Sequence, residues 1–169
     1  MPSKKCYYYG SLAIWLALIW GVGVIIGLII RPDITTWYAE QAKAPLNPPN
    51  WVFPVAWTIF YTLIAISGWV LQFAKSVSPR TAVWVLFGIQ LVLNWAWSIF
   101  FFTFHLTSFS FGIIIFLDIL VAALIILAFG KFRIVSLLLL PYLAWLCFAA
   151  YLNYYVWQGQ SSWSNDMQE

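Results

Sequence analysis

The sequence contains very little charge. Of its 169 residues only 8% are charged, whereas 64% are hydrophobic. A water-soluble domain usually has about a quarter of charged residues, because its surface has to be solvated. The low charge therefore excludes an ordinary soluble domain and indicates a lipid bilayer as the solvent. The net charge of +3 is small, and no basic run suits nucleic-acid binding.

Cysteine is also scarce. Cys6 and Cys147 form no CxxC pair or Cys/His cluster, so the sequence predicts neither a disulfide framework nor a metal site. It offers no acid–base pair or activated nucleophile, which argues against conventional catalysis, and no motif requires a cofactor. The first apolar run lacks a small-residue cleavage pattern, so we expect a retained helix and not a signal peptide.

Long apolar runs dominate the remainder of the chain. Each of five runs has roughly 20 residues, enough to cross ~30 Å of hydrocarbon as a helix, and none alternates as a membrane β-barrel strand would. We therefore predict an all-α integral membrane protein with one domain, 1–169, and five transmembrane helices, at about 9–30, 51–73, 81–104, 109–129 and 134–156. Loop one, 31–50, is long for a helix bundle.

Positive charge is divided unequally between the two predicted ends of the bundle. One end has six basic residues, Lys4, Lys5, Lys75, Arg80, Lys131 and Arg133, and the other has Arg31 and Lys43. The positive-inside rule then places the N-terminus in the cytoplasm of a bacterial plasma membrane, with loop one and the C-terminus outside. An organelle envelope is the alternative. No internal repeat suggests an inverted-repeat transporter.

Loop one is rich in proline and aromatic residues. Pro48 and Pro49 favour an extended chain as it enters the second helix. Trp37, Tyr38 and Trp51 would be unusual in a solvated connector. The pattern favours a lid that packs over the bundle, with a disordered connector as the alternative.

Polar and aromatic residues recur at helical spacing within three predicted spans. Gln90, Asn94 and Ser98 lie at i, i+4 and i+8, so they share one face of the third helix. Polar groups in lipid usually face the interior of a bundle, where they bond to neighbouring helices or line a cavity. Both interpretations remain open here.

The second and fifth spans have comparable stripes. Trp57 and Tyr61 are four residues apart, and Trp145, Ala149 and Asn153 repeat that spacing. Aromatic walls with a few polar groups are typical of a small-molecule site. The three stripes together predict such a site inside the bundle.

Asp118 is the one acidic residue well inside a predicted span. At the bilayer centre an acid costs ~3 kcal/mol on insertion scales, so it should be paired, protonated or close to water. Both a proton carrier and a structural hydrogen bond fit this position.

Three segments carry a family resemblance. "WYAEQAKAPLNPPNWVFPVAWTIFY", "QLVLNWAWSIFFF" and "LPYLAWLCFAAYLNYYVW" occur in this order on the predicted spans. Together they resemble the translocator protein family, also called tryptophan-rich sensory protein or peripheral-type benzodiazepine receptor. The similarity covers about residues 12–157.

The resemblance implies a five-helix bundle, commonly a homodimer, that binds porphyrins, sterols and benzodiazepine-like drugs beneath loop one. The positions that match the family's pocket are Trp37, Tyr38, Pro48, Pro49, Trp51, Trp57, Tyr61, Asn94, Trp97, Ser98, Trp145, Phe148, Ala149 and Leu152. It also marks Trp57 and Trp145 as candidates for light-dependent porphyrin degradation.

Two positions depart from the family pattern. Leu46 stands where loop one of the family often has a tryptophan, so lid packing and ligand preference should differ. Gln158 stands where the family's sterol motif has a basic residue, so that weak motif is incomplete.

The leading hypothesis is a membrane receptor or carrier for hydrophobic tetrapyrroles such as protoporphyrin or heme. One alternative is light-dependent porphyrin degradation that uses Trp57 and Trp145. Another is a proton-coupled transporter that uses Asp118. The expected partners are the lipid bilayer, a hydrophobic small molecule and a second copy of the chain.

Overall fold

The computed structural model describes residues 4–74 and 80–166, with side chains described over 8–74 and 80–160. Six helices follow one another in these residues: α1 Lys4–Thr35, α2 Trp37–Glu40, α3 Val52–Phe73, α4 Arg80–Phe102, α5 Thr107–Phe129 and α6 Arg133–Asp166. All but the one-turn α2 are long and apolar enough to cross a membrane. The predicted all-helical membrane protein with five spans is confirmed.

The five long helices form a closed ring. α1 packs on α3 and α4, α5 packs on α4 and α6, and α6 closes onto α3. Successive spans run antiparallel. Loop one, the start of α3, the α4–α5 connection and the C-terminal part of α6 therefore meet at one end, which we call the loop-one end.

Two buried clusters fill the bundle. The larger one is mainly aliphatic and includes Leu71, Leu124 and Leu139, which are fully buried. The smaller one lies at the loop-one end and is rich in aromatic side chains, among them Trp97 and Phe101. Many outward apolar side chains are exposed, as expected where lipid covers the surface. The fold thus concentrates its aromatic rings beneath loop one.

α1 is longer than the sequence predicted. The expected end was Ile30, before Pro32, because proline cannot donate the helical hydrogen bond. Instead α1 continues to Thr35. The Pro32 carbonyl accepts hydrogen bonds from the Thr36 backbone N–H at 3.1 Å and from the Thr35 hydroxyl at 2.9 Å, which satisfy the helix end. The connection to α3 is therefore shorter than 31–50 and includes α2.

α6 also exceeds its predicted range. It was expected to end at Val156, where polar residues begin, but it continues to Asp166. Its polar extension is bonded to other elements, since Gln160 accepts from Thr107 at 2.7 Å and donates to Gln41 at 3.0 Å. The ends of the other three spans agree with the prediction to within two residues.

The prolines before α3 adopt the predicted roles. Pro48 and Pro49 lie in the non-helical stretch that enters α3. The Val52 N–H donates to the Pro49 carbonyl at 2.9 Å as the helix starts. Pro54 falls in the first turn, where a helix has no use for the missing N–H. This rigid entry fixes the first turn of α3 at the loop-one end.

Candidate functional site

A cavity of about 20 Å³ lies at the loop-one end, between α2, α3, α4 and α6. That volume has room for about one water molecule. Its lining residues are Tyr38, Phe53, Trp57, Trp97, Phe101, Phe102, Trp145, Ala149, Leu152 and Asn153. Trp57 of the second-span stripe and the whole fifth-span stripe, Trp145, Ala149 and Asn153, therefore meet in one cavity, whereas Gln90, Asn94 and Ser98 of the third-span stripe do not line it.

Tryptophan rings form most of the cavity wall. The ring centroids of Trp57 and Trp145 are 6.5 Å apart and the rings meet edge to face at 89°. Trp57 is 6.4 Å from Trp97, and Trp97 stacks on Phe101 at 5.6 Å. Phe53, one turn before Trp57 on α3, contacts the Trp145 ring at 6.2 Å. The rings fill the site by packing on one another.

Two indole N–H groups in the wall have different environments. Trp97 Nε1 donates to Asn153 Oδ1 at 3.1 Å, and Asn153 Nδ2 donates to the Thr107 carbonyl at 2.8 Å. Trp145 Nε1 is buried and has no acceptor among the described residues. A buried donor without a partner is unfavourable. The Trp145 N–H is therefore available to an acceptor atom that enters the cavity.

Asn94 lies beneath the cavity and not in its lining. Its Oδ1 accepts from the Tyr61 hydroxyl at 3.0 Å, and its Nδ2 donates to the Tyr142 hydroxyl at 3.0 Å. Tyr142 in turn donates to Gln90 Oε1 at 3.1 Å, and Ser98 donates to the Asn94 carbonyl at 3.3 Å. This network links α3, α4 and α6. The interhelical interpretation of the polar stripe is therefore confirmed for Asn94.

Tyr38 anchors loop one over the cavity. Its side chain is 2% exposed, and its ring contacts Phe53, Phe101 and Phe102 edge to face. Its hydroxyl donates to Asn47 Oδ1 at 2.8 Å. Burial raises the pKa of Tyr38 to about 12, so the hydroxyl keeps its proton at physiological pH and remains a donor.

Trp37 lies next to this anchor but outside the cavity lining. Its ring stacks on His105, with centroids 4.1 Å apart and planes 14° apart. His105 Nε2 is 3.4 Å from Asp33 Oδ1, and His105 has a positive φ of 57°. The contact fixes loop one to the α4–α5 connection.

Three other candidates from loop one lie away from the cavity. Trp51 is 66% exposed, Pro49 is exposed and Pro48 is half-buried. On α6, Phe148 packs behind the Trp145 ring at 5.6 Å. None of these four residues forms the walls of the cavity, and Phe148 alone among them has a ring contact with a wall residue.

A chain of hydrogen bonds joins loop one to α5 and α6. Gln41 Nε2 donates to the Trp37 carbonyl at 3.0 Å, and Gln41 Oε1 accepts from Gln160 Nε2 at 3.0 Å. Thr107 then donates to Gln160 Oε1 at 2.7 Å. Loop one is thus held at both Tyr38 and Gln41.

Sequence reasoning did not place Phe53, Phe101 and Phe102 among the site candidates, and it named Asn153 only as part of the fifth-span stripe. A signal was present for all three phenylalanines, because each lies one helical turn from a predicted site residue: Phe53 precedes Trp57, Phe101 follows Trp97 and Phe102 follows Ser98. In the structure, the rings of Tyr38 and Trp97 both pack on Phe102.

Comparison with known proteins identifies relatives over most of the chain. A family model described as the TspO/MBR family matches residues 13–158. The chain is 38% identical to the "Tryptophan-rich protein TspO" of Archaeoglobus fulgidus, over 74% of this chain and 80% of that protein. It is 36% identical to the protein of the same name from Chlorobaculum tepidum, over 88% and 94%. It is 33% identical to the "Translocator protein" of Ovis aries, over 76% and 78%.

Proposed function

Because the chain belongs to the TspO/MBR family, we propose that this integral membrane protein is a receptor or carrier for hydrophobic tetrapyrroles such as protoporphyrin or heme. The observation that supports the proposal is a cavity walled by Trp57, Trp97 and Trp145 in which one indole N–H lacks an acceptor among the described residues. A flat aromatic ligand would stack on these rings, and an acceptor on the ligand would bond to Trp145. Benzodiazepine-like drugs would use the same walls.

Binding requires the cavity to open. Ligand sites usually have volumes of about 300–1,000 Å³, whereas this cavity has about 20 Å³. Tyr38 is the lining residue that loop one contributes, so we propose that loop one acts as a lid whose movement withdraws Tyr38. Stacking of the rings on the porphyrin would then replace their present stacking on one another.

The lid can be tested by locking loop one in place. A Cβ on Gly159 of α6 would lie 2.6 Å from the Cβ of Ala42. Because disulfide-linked Cβ atoms lie ~3.8 Å apart, a small shift suffices for a bond between cysteines at these positions. With Cys6 and Cys147 replaced by serine, the oxidised Ala42→Cys, Gly159→Cys protein should bind protoporphyrin at least about tenfold more slowly than the reduced protein.

The single Ala42→Cys variant in the same background is the matched control, and it should bind equally fast under both conditions. If the double variant binds protoporphyrin equally fast when oxidised and reduced, with the disulfide confirmed by mass spectrometry, loop one is not a lid.

A second candidate function is light-dependent breakdown of the bound porphyrin. It is favoured by the contact between Trp57 and Trp145, since both indoles line the cavity and would touch an excited macrocycle. Under illumination in air, Trp57→Phe and Trp145→Phe variants should consume bound porphyrin several-fold more slowly than wild type. Equal rates of product formation would assign the breakdown to the porphyrin's own photochemistry.

The proton-coupled alternative has less support, because Asp118 does not line the cavity.

We also propose the orientation in which the N-terminus is cytoplasmic in a bacterial plasma membrane. Among the described side chains, Arg80, Lys131 and Arg133 lie at the end opposite loop one, whereas Lys75 and the side chains of Lys4 and Lys5 lie outside the described residues. In a cysteine-free background, an impermeant maleimide should label Lys43→Cys in intact cells but label Lys131→Cys only after permeabilisation. The reverse pattern would invert the topology.

The homodimer implied by the family resemblance stays a prediction. The mass of the protein in detergent, measured by light scattering, should correspond to two chains. A mass of one chain over the working concentration range would contradict the homodimer.

A further inference from the structure

A second concave site lies on the outer surface of the bundle between α5 and α6, and we call it the α5–α6 groove. Its volume is about 380 Å³, and it is lined by Phe111, Ile115, Asp118, Cys147, Ala150, Tyr151 and Tyr154. The α5 residues follow one another at i, i+4 and i+7 and the α6 residues at i, i+3, i+4 and i+7, so each helix contributes one stripe. Cys147 and Ala150 are small, which leaves an open depression between the two helices.

The groove is separate from the cavity beneath loop one. The two sites share no lining residue, and they use opposite faces of α6. Cys147, Tyr154 and Ile115 are exposed on the surface that lipid covers. A molecule dissolved in the bilayer therefore has direct access to the groove without passing loop one.

Asp118 is the unusual member of this lining. It lies near the middle of α5, at the depth where an acid costs ~3 kcal/mol on insertion scales and normally has a partner. Its Oδ1 is shielded and receives no hydrogen bond from any described residue. The one ion pair in the described part of the chain joins His105 to Asp33. The acid thus has no basic partner of its own in this part of the chain.

The chemistry of the groove favours a cation. An N–H of a protonated amine would bond to the unpaired carboxylate. Phe111 and Tyr154 pack together at 5.7 Å, and Phe111 is two turns from Asp118 on α5, so these rings would contact the apolar part of such a ligand. A second copy of the chain is a poorer occupant, because a two-fold contact through this groove would bring two acids to the same depth of the bilayer.

We propose that the α5–α6 groove binds a lipophilic small molecule with a protonated amine, whose N–H bonds to Asp118 while its aromatic or aliphatic part packs on Phe111, Tyr151 and Tyr154. The groove volume falls in the range of about 300–1,000 Å³ that is usual for drug-sized ligands. The amine belongs to a free membrane-soluble ligand and not to a lipid headgroup, since headgroups stay at the interface and Asp118 lies near mid-span.

A matched pair of photoreactive probes tests the proposal. The first is 4-phenylbutylamine with a diazirine on its ring, and the second is 4-phenylbutanol with the same diazirine, so the pair differs only in the headgroup. Each is photolysed with the protein in phosphatidylcholine nanodiscs, and adducts are mapped by mass spectrometry. The amine should label the α5–α6 groove at least about tenfold more than the alcohol does, as expected for a bond to a charged partner.

Variants then assign the selectivity. Asp118→Asn should remove the preference for the amine, whereas Asp33→Asn, which changes an acid in another part of the chain, should retain it. Trp145→Ala should also retain it, so failure of the porphyrin site and failure of the groove can be told apart. The comparison of amine with alcohol in wild-type protein needs no variant and holds even if Asp118→Asn does not fold.

Three results would overturn the proposal. Equal labelling by amine and alcohol would show that the groove only collects apolar molecules. Retention of the amine preference in folded Asp118→Asn would show that the preference does not come from an ion pair with Asp118. Suppression of labelling by added phosphatidylethanolamine would identify a lipid headgroup as the occupant.

Discussion

Replacing Trp145 by alanine should weaken protoporphyrin binding by about 100-fold, or roughly 3 kcal/mol. The ring forms one wall of the cavity, where it contacts Trp57 and Phe53. Loss of its buried area costs about 1.5–3 kcal/mol and loss of ring stacking about 1 kcal/mol. Its N–H, which has no acceptor within the described residues, would contribute a hydrogen bond to the ligand.

The loss of protoporphyrin affinity should depend on which part of the Trp145 side chain is removed. Trp145→Phe keeps an aromatic ring but loses the N–H, so we expect a loss of about five- to tenfold, near 1 kcal/mol. Affinity should be measured from the Soret absorbance of protoporphyrin in nanodiscs, because tryptophan quenching changes when an indole is removed.

Trp51→Ala provides the matched control for Trp145→Ala. Trp51 is 66% exposed and lies outside the cavity lining, so its removal should change affinity by less than about twofold. Wild-type affinity in Trp145→Ala would place the porphyrin elsewhere. A loss in Trp51→Ala as large as that in Trp145→Ala would support the position that the family resemblance implies for Trp51.

Asn94→Ala should destabilise the bundle by about 2–3 kcal/mol. The substitution leaves the Tyr61 hydroxyl without its acceptor and removes the donor to Tyr142. An average hydrogen bond between membrane helices contributes only about 0.6 kcal/mol. Here Asn94 and Tyr142 are fully buried within the bundle, so the cost of leaving buried polar groups unpaired, about 1–3 kcal/mol each, decides the result.

The measurement is the free energy of unfolding in detergent, with Ser98→Ala as control. Ser98 bonds to a carbonyl of its own helix, so its loss should cost less than about 0.5 kcal/mol. Adding Tyr61→Phe to Asn94→Ala should restore part of the stability, because it removes one unpaired hydroxyl.

Binding distinguishes this structural role from direct contact with the ligand. Folded Asn94→Ala protein should keep porphyrin affinity within about threefold, since Asn94 does not line the cavity. If Asn94→Ala has wild-type stability and an affinity as low as that of Trp145→Ala, Asn94 binds the ligand directly.

The five spans could be predicted from the sequence because each is a single apolar run of the length that a bilayer requires. The ends of α1 and α6 could not, since they depend on bonds made outside the apolar runs. The Thr35 hydroxyl and the Thr36 N–H satisfy the end of α1, and Gln160 stabilises the extension of α6.

The candidate site was predictable only in part, for a similar reason. Spacing identified the helix faces of Trp57 and Trp145, the family resemblance added Trp97, and all three line the cavity. Spacing does not specify the depth of a residue along the bundle axis relative to its neighbours. Asn94 shares a face with the cavity residues but lies below them along the helix. Its polar atoms bond to Tyr61 and Tyr142 and are therefore not directed into the cavity.

The proposal that so small a cavity opens for a large ligand depends on the contacts among the aromatic rings. Trp57, Trp97 and Trp145 now pack on one another and on phenylalanines at centroid distances of 5.6–6.5 Å. Such contacts are each worth about 1 kcal/mol beyond burial, and a porphyrin face offers equivalent ones. Opening would therefore exchange contacts of similar strength, which is consistent with the proposed role of loop one as a lid.

The most direct test is an experimental structure of the protein with protoporphyrin bound. We expect the macrocycle between Trp57, Trp97 and Trp145, an acceptor of the ligand within hydrogen-bonding distance of Trp145 Nε1, and Tyr38 withdrawn from Phe101 and Phe102. A porphyrin bound on the lipid-facing surface, with the Trp57–Trp145 centroids still 6.5 Å apart and Tyr38 in place, would contradict the proposed site.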